Sequence, residues 1–168
     1  MPPHLEPMRA DHAEAVLAFE LANRTYFAAL ISDRGEEYFA RFAERHAELL
    51  EAQDAGRGAS YVLVDEEGAV QQGRFNLYDI EDAIADVGYR VAQAVAGRGL
   101  ATAAVRELCR LAAARGVRTL TARTSLANVA SQRVLTKAGF LPTGPTDLAG
   151  KPAIWYTKGL TGSLTGEP

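Results

Sequence analysis

"AVAGRGLATAAV" (Ala94–Val105) opens as a glycine-rich turn and ends as a helix. Gly97 and Gly99 flank Arg98, and good helix formers follow at once. A helix N-terminus leaves backbone N–H groups without intrahelical partners and carries about half a positive charge. Phosphate groups bind there readily. Glycine lets the main chain approach such a ligand, and Arg98 adds a full charge. Two readings stand side by side: a plain tight turn, and a cradle for a pyrophosphate. No Walker string is present. The frame Gly97-x-Gly99-x-x-Thr102 also fails the third position of a dinucleotide fingerprint.

The segments around this stretch give its context. "GLATAAVRELCRLAAARG" (Gly99–Gly116) is the clearest helix, with Leu100, Ala104, Leu108, Leu111 and Ala112 on one face and Gly116 as a stop. Before it, "EDAIADVGYRVA" (Glu81–Ala92) reads as a loop and then a strand. After it come the strand "VRTLTART" (Val117–Thr124) and the short helix "NVASQRVLTKAGF" (Asn128–Phe140). "AIWYTKG" (Ala153–Gly159) reads as a last strand, with one of Trp155 and Tyr156 facing the core. Upstream, "HLEPM" (His4–Met8) is a first strand and a helix starts at Asp11. "NRTYFAALISDRG" (Asn23–Gly35) breaks its rhythm as a loop. A second helix spans Glu36 to about Gln53. "SYVLVD" (Ser60–Asp65) and "AVQQGRFNLYDI" (Ala69–Ile80) form a hairpin across "EEG".

This order is that of a layered α/β domain with one central sheet. The opening motif falls at a strand-to-helix crossover, where ligands tend to sit in open α/β sheets. The 168 residues suit one domain, expected over residues 1–160, with a flexible polar tail at 161–168. A net charge of −3 argues against a general nucleic-acid binder. No apolar run approaches the ~20 residues of a membrane span, and the first residues lack a secretory pattern. Cys109 is the single cysteine, so no internal disulfide forms and a cytoplasmic setting is expected. It falls mid-helix between Leu108 and Leu111, which suggests a core position. His4, His12 and His46 show no metal-ligand spacing, so no metal is expected.

Taken together, "DVGYRV", "GRGLAT" and "N-x-x-S-x-R-V-L-x-K-x-G-F" resemble the GNAT superfamily of acyl-CoA N-acyltransferases. They look most like its subgroup that acetylates ribosomal-protein N-termini. The family's Q/R-x-x-G-x-G/A loop falls on Ala96-Gly97-Arg98-Gly99-Leu100-Ala101. Gly99 and Ala101 match, and Ala96 stands where glutamine or arginine is usual. The order of elements matches from Leu5 to about Gly159. The resemblance implies a mixed, mostly antiparallel sheet of six to seven strands, splayed between the fourth and fifth and flanked by about four helices.

It also implies acetyl-CoA as co-substrate. Val91 would contact the pantetheine arm and thioester oxygen. Main-chain groups around Gly97, Arg98, Gly99, Leu100, Ala101 and Thr102 would hold the pyrophosphate. Asn128 would touch the pantetheine region, and it is equally a good helix N-cap. Ser131 sits where the subgroup has a donor to the departing thiolate, and Leu135 stands where many members carry a tyrosine. Asp86 falls near the family's acidic fourth-strand base, with Glu81 and Asp82 as rivals. The acidic run "YDIEDAIAD" could attract a cationic acceptor or be a solvated loop. Tyr26 and Phe27 would line the acceptor pocket. The expected reaction is direct acetyl transfer to a primary amine, with a protein N-terminus as the leading acceptor. A small-molecule amine (amino acid, polyamine or aminoglycoside) and a non-catalytic acyl-CoA-binding module are the alternatives. A monomer and a homodimer are both compatible with this reading.

Overall fold

In the computed structural model, residues 4–70 and 72–160 are described, and the expected tail at 161–168 lies outside them. The strand β1 (His4–Pro7) leads through a 3-10 turn into α1 (Ala13–Ala22). Then come α2 (Arg24–Leu30), α3 (Glu36–Ala40), α4 (Phe42–Asp54), β2 (Ala59–Val64), β3 (Gly73–Glu81) and β4 (Ile84–Val91). After a second 3-10 turn follow α5 (Leu100–Ala114), β5 (Thr119–Ser125), α6 (Val129–Lys137), β6 (Leu141–Leu148) and β7 (Lys151–Gly159). The strands form one seven-stranded sheet in the order β1-β2-β3-β4-β5-β7-β6. Neighbours are antiparallel except β4 and β5, which run parallel.

Two apolar layers cover the sheet. Phe75, Leu77, Val87 and Leu120 meet Val105, Leu108 and Ala112 of α5 in the main core. On the opposite face Val62 and Val64 meet Val16 of α1 and Phe42 of α4. Buried on both sides, β2 is apolar almost without a break. Cys109 and Tyr156 lie in the main core, while Trp155 is only half-buried and carries the Arg123 guanidinium 5.0 Å from its ring centre.

Several elements differ from the sequence reading. The expected loop at Asn23–Gly35 contains α2, because Asn23 donates from Nδ2 to the Phe19 carbonyl and the chain bends there rather than unwinding. Phe27 of α2 is then buried against Phe19, Ala92 and Val95. The expected helix Glu36–Gln53 breaks at Arg41 (φ −113°), which sends Phe42 and His46 into the interior while Tyr38 reaches β3. These divisions account for six α-helices where about four were expected. The strand expected from Ala69 begins at Gly73, since Asp65 accepts from the Glu67 and Ala69 N–H groups and lengthens the turn. The hairpin partner of β7 is β6, whose Pro142 and Pro145 mask its strand pattern.

β4 and β5 pair only from Ile84↔Thr119 to Val87↔Ala122, then separate. Beyond Val87, β4 keeps its other partner, pairing with β3 as far as Gly73↔Val91. The edge of Gly88–Val91 that faces β5 is left without a strand. This is the expected splay, and it opens a gap through the middle of the sheet.

Candidate active site

Two clefts meet at this gap. Both are lined by Leu30, Ile31, Tyr89, Arg90, Asn128 and Ser131. The first continues toward α5, past Val91, Ala96, Gly97, Gly99, Ala101 and Thr102. The second continues over β3 and β5, past Arg74, Asn76, Tyr78, Asp86 and Arg123.

The first cleft is built for an anion. Gly97 and Gly99 both adopt φ +79°, a left-handed conformation that disfavours any side chain. Between them the chain turns into the start of α5, with Gly99 as its N-cap. The N–H groups from Gly97 to Thr102 donate to no acceptor among the described residues, and Ala103 is the first to bond back, to the Gly99 carbonyl at 3.1 Å. Arg133 and Lys137 of α6 bring cationic charge to the same cleft. These residues fit a pyrophosphate, and they supply charge where Ala96 lacks a polar side chain. Arg98 does not join them. Bracketed by two left-handed glycines, it lies outside this cleft in a depression shared with Asp65, Glu66 and Glu67. Leu100 also lines that depression, so its part in the cradle is main-chain only.

Asn128 forms the expected helix cap. Its Oδ1 accepts from the Ser131 N–H at 3.2 Å, capping α6, and it lines both clefts at the gap. The cap fixes the first turn of α6 and thereby Ser131. Ser131 Oγ lies 2.8 Å from the Tyr89 hydroxyl. The Tyr89 ring stacks on Phe75, its cross-strand partner, at 5.3 Å and an interplanar angle of 6°. Burial pushes the Tyr89 phenol up to about 12, so it stays protonated at neutral pH. Tyr89 was not singled out from the sequence. Its string "GYRV" was noted, but its partner Ser131 comes from another element, and only the fold joins them.

Asp86 lies in the second cleft, where its Oδ1 accepts from Thr121 Oγ1 at 2.9 Å. Burial raises its pKa above the usual aspartate value, with the Thr121 hydrogen bond opposing. Beside it, Gly88 is required by a close approach: a Cβ there would meet the Tyr78 ring at 2.8 Å. The other acidic candidates are elsewhere. Asp79 takes positive φ at the irregular end of β3 and Asp82 in the turn to β4, while Glu81, the last residue of β3, is exposed, and none of the three lines either cleft. Tyr26 and Phe27 line the first cleft rather than the second, because α2 folds back over the β4–α5 connection. The second cleft carries Arg34, Arg74, Arg90 and Arg123 in its walls.

Arg34, Arg74 and Arg90 converge on Glu20 of α1, a position the sequence reading treated only as part of a helix. Glu20 is 1% exposed and lies 2.7 Å from Arg74, 3.5 Å from Arg34 and 3.5 Å from Arg90. Arg74 also donates to Tyr38 Oη at 3.0 Å. Cys109 is buried, and burial raises its thiol, which suits a core residue and not a nucleophile. Among the described residues no group of three or more His, Cys, Asp or Glu could hold a metal ion, and no helix is long and apolar enough to cross a membrane.

The comparisons with known proteins agree with this geometry. No curated protein matches in sequence. Solved structures do match in fold. The ribosomal-protein-S5-alanine acetyltransferase from Vibrio fischeri superposes with a TM-score of 0.88 at 19% identity, covering 98% of this chain and 97% of that one. RimL, a ribosomal L7/L12 alpha-N-protein acetyltransferase in complex with coenzyme A, gives 0.83 at 17% identity, covering 95% and 94%. A spermidine N-acetyltransferase SpeG chimera from Vibrio cholerae and hSSAT gives 0.80 at 12% identity, covering 97% and 98%. At these identities the likeness is one of fold. The profile of the acetyltransferase (GNAT) domain matches residues 4–141, and the chain belongs to that family.

Proposed function

We propose that this chain is an acetyl-CoA-dependent N-acetyltransferase that transfers the acetyl group directly to an α-amine, with a protein N-terminus as acceptor. The observation that carries this reading is the meeting of the two clefts at Tyr89 and Ser131 through the gap between β4 and β5. Acetyl-CoA supplies the acyl group as a thioester. The unpaired N–H groups of Gly97–Thr102 hold its pyrophosphate, and the free edge of Gly88–Val91 pairs with its pantetheine arm. Val91 offers main-chain polarity near the reacting carbonyl. The Nδ2 of Asn128, left over from capping, is available to the same arm.

The ammonium acceptor sheds two protons, one before attack and one from the tetrahedral adduct; the second passes to the departing thiolate through Ser131, which is left neutral, as the C–S bond breaks. Asp86 takes the proton from the incoming ammonium, and its burial makes it a better base than a solvated aspartate. Ser131, hydrogen-bonded to the phenol of Tyr89, presents a hydroxyl to the departing sulfur. An α-amine has a pKa near ~7.8 and a lysine near ~10.4, so deprotonating a lysine costs about 3.5 kcal/mol more at neutral pH. An aspartate with only a raised pKa suits the α-amine. The coenzyme A bound in RimL supports the co-substrate, and the names of that enzyme and the Vibrio fischeri one support the N-terminal acceptor. We place the reaction in the cytoplasm, in a single domain spanning residues 1–160.

Release of free thiol from acetyl-CoA, measured across a panel of N-terminal peptides and small amines, tests this reading. Turnover with peptides is expected. Binding of CoA without turnover of any acceptor would leave a non-catalytic acyl-CoA-binding module. Failure to bind CoA would remove both.

A further inference from the structure

We infer that the second cleft takes a primary amine that also carries a carboxylate, held by Arg34 and Arg90, and disfavours polyamines. The inference rests on that cleft being the acceptor site. Arg34, Arg74, Arg90 and Arg123 all line it, and Asp86 is the single acidic residue among its walls. Glu20 behind them serves three guanidiniums with one carboxylate.

The contacts with Glu20 are unequal. Arg74, with its side chain 5% exposed, makes the short contact at 2.7 Å and ties α1 to β3. That pair is structural. Arg34 and Arg90 stand at 3.5 Å, the outer limit of a hydrogen bond, and their side chains are 28% and 11% exposed. Each is steadied by a ring instead: the Arg34 guanidinium lies 4.8 Å from the Tyr38 ring centre and that of Arg90 4.9 Å from Phe27. They are held in place with donors to spare. The nearby carboxylate of Asp33 is already engaged, in a two-pronged contact with Arg24 at 2.8 and 2.9 Å. Burial, and next the charge of Arg34, lower Arg90 to about 10, so this corner of the cleft is short of negative charge.

A second observation points the same way. Asn76 and Thr124, each 3% exposed, line this cleft, and Asn76 Oδ1 and Thr124 Oγ1 are buried without a partner. Unpaired buried polar atoms are costly, so both are suited to a ligand. Asn76 Oδ1 can only accept, which fits an amine N–H. The cleft therefore offers acceptors for an amine beside donors for an anion. A carboxylate meets arginine in a bidentate fork, which gives direction as well as charge. Spermidine, with only cationic groups, would bring like charge against four arginines.

The test uses wild-type protein, acetyl-CoA and matched acceptors. One arm is a set of peptides with aspartate, asparagine or lysine at the second and third positions. The other is free alanine against alaninamide, which differ only at the α-carboxylate, with spermidine as the cationic control. Rates are read by thiol release, and acceptor affinity by calorimetry with CoA present. Carboxylate-bearing acceptors are expected to exceed their amides by about tenfold in kcat/KM, mainly through KM, with the gap narrowing at high salt. Arg34→Glu, on a half-exposed loop, should abolish or reverse the preference while CoA affinity and the circular dichroism spectrum stay as in wild type.

A preference confined to peptides assigns the carboxylate to an acidic side chain near the N-terminus. One confined to free amino acids assigns it to the α-carboxylate. Both support the inference. Equal or better use of lysine peptides or spermidine overturns it while leaving the transferase reading intact. Preferential binding of acidic acceptors without turnover supports it and overturns the transferase reading. Absence of acceptor binding and of turnover overturns it.

Discussion

Asp86 is paid for in stability. Burial raises its folded pKa, so the folded state binds its proton more tightly than the unfolded chain does. Its contribution is therefore full below the unfolded pKa of about 4 and is lost as pH rises through the folded pKa. At neutral pH the ionised carboxylate is a net cost. Asp86→Asn keeps an acceptor for Thr121 and should raise the Tm at pH 7 while lowering kcat by about 100-fold, measured by thermal melts and thiol release. Activity of the wild type should climb from pH 6 to about 8 as the α-amine loses its proton. Ser131→Ala should lower kcat by about tenfold or more with little change in the CoA Kd. Tyr89→Phe should do less on its own. In the double variant the losses should not add, because the two hydroxyls act as one pair.

The β4–α5 connection is the element on which co-substrate binding turns. Gly99→Ala must hold φ +79° against a Cβ, a strain of roughly 1–2 kcal/mol, and relief of that strain would turn the cradle N–H groups away. A weaker CoA Kd, by about tenfold, is expected in calorimetry. Ala96→Arg should act oppositely and tighten CoA by about fivefold, since it returns a charged donor to a position exposed beside the cleft. This connection was legible because glycine spacing and helix pattern are local. So was the splay, through the resemblance carried by "DVGYRV" and "NVASQRVLTKAGF". The α2 helix was not legible, since Asn23 and Asp33 look like loop residues until their side chains find Phe19, Gln93 and Arg24. β6 hid behind two prolines for a similar reason, as its pairing with β7 is a property of the sheet.

Across the whole molecule, Glu20 links helix α1 to the sheet beneath the second cleft. Removing it leaves three arginines facing one another with no carboxylate between them. Glu20→Gln is expected to cost about 3 kcal/mol in chemical denaturation, more than most single substitutions. The sequence could not show this. Glu20 looks like any helix-surface glutamate, and its partners lie 14, 54 and 70 residues away. The acidic run at Asp79–Asp86 stayed open in the sequence between an acceptor-attracting patch and a solvated loop, and in the fold Asp86 alone of its acidic residues lines a cleft, because charge along the chain is not charge in space. The main core, by contrast, followed directly from apolar periodicity in α5 and the strands.

A crystal structure with a conjugate that joins the CoA sulfur, through an acetyl bridge, to the amine of an acidic peptide would test the two-cleft arrangement most directly. The account predicts the pyrophosphate on the N–H groups of Gly97–Thr102, the sulfur beside Ser131 and Tyr89, and the peptide running past Asp86 toward Arg34 and Arg90. A conjugate with both halves in one cleft, or with its sulfur away from the gap between β4 and β5, would contradict it.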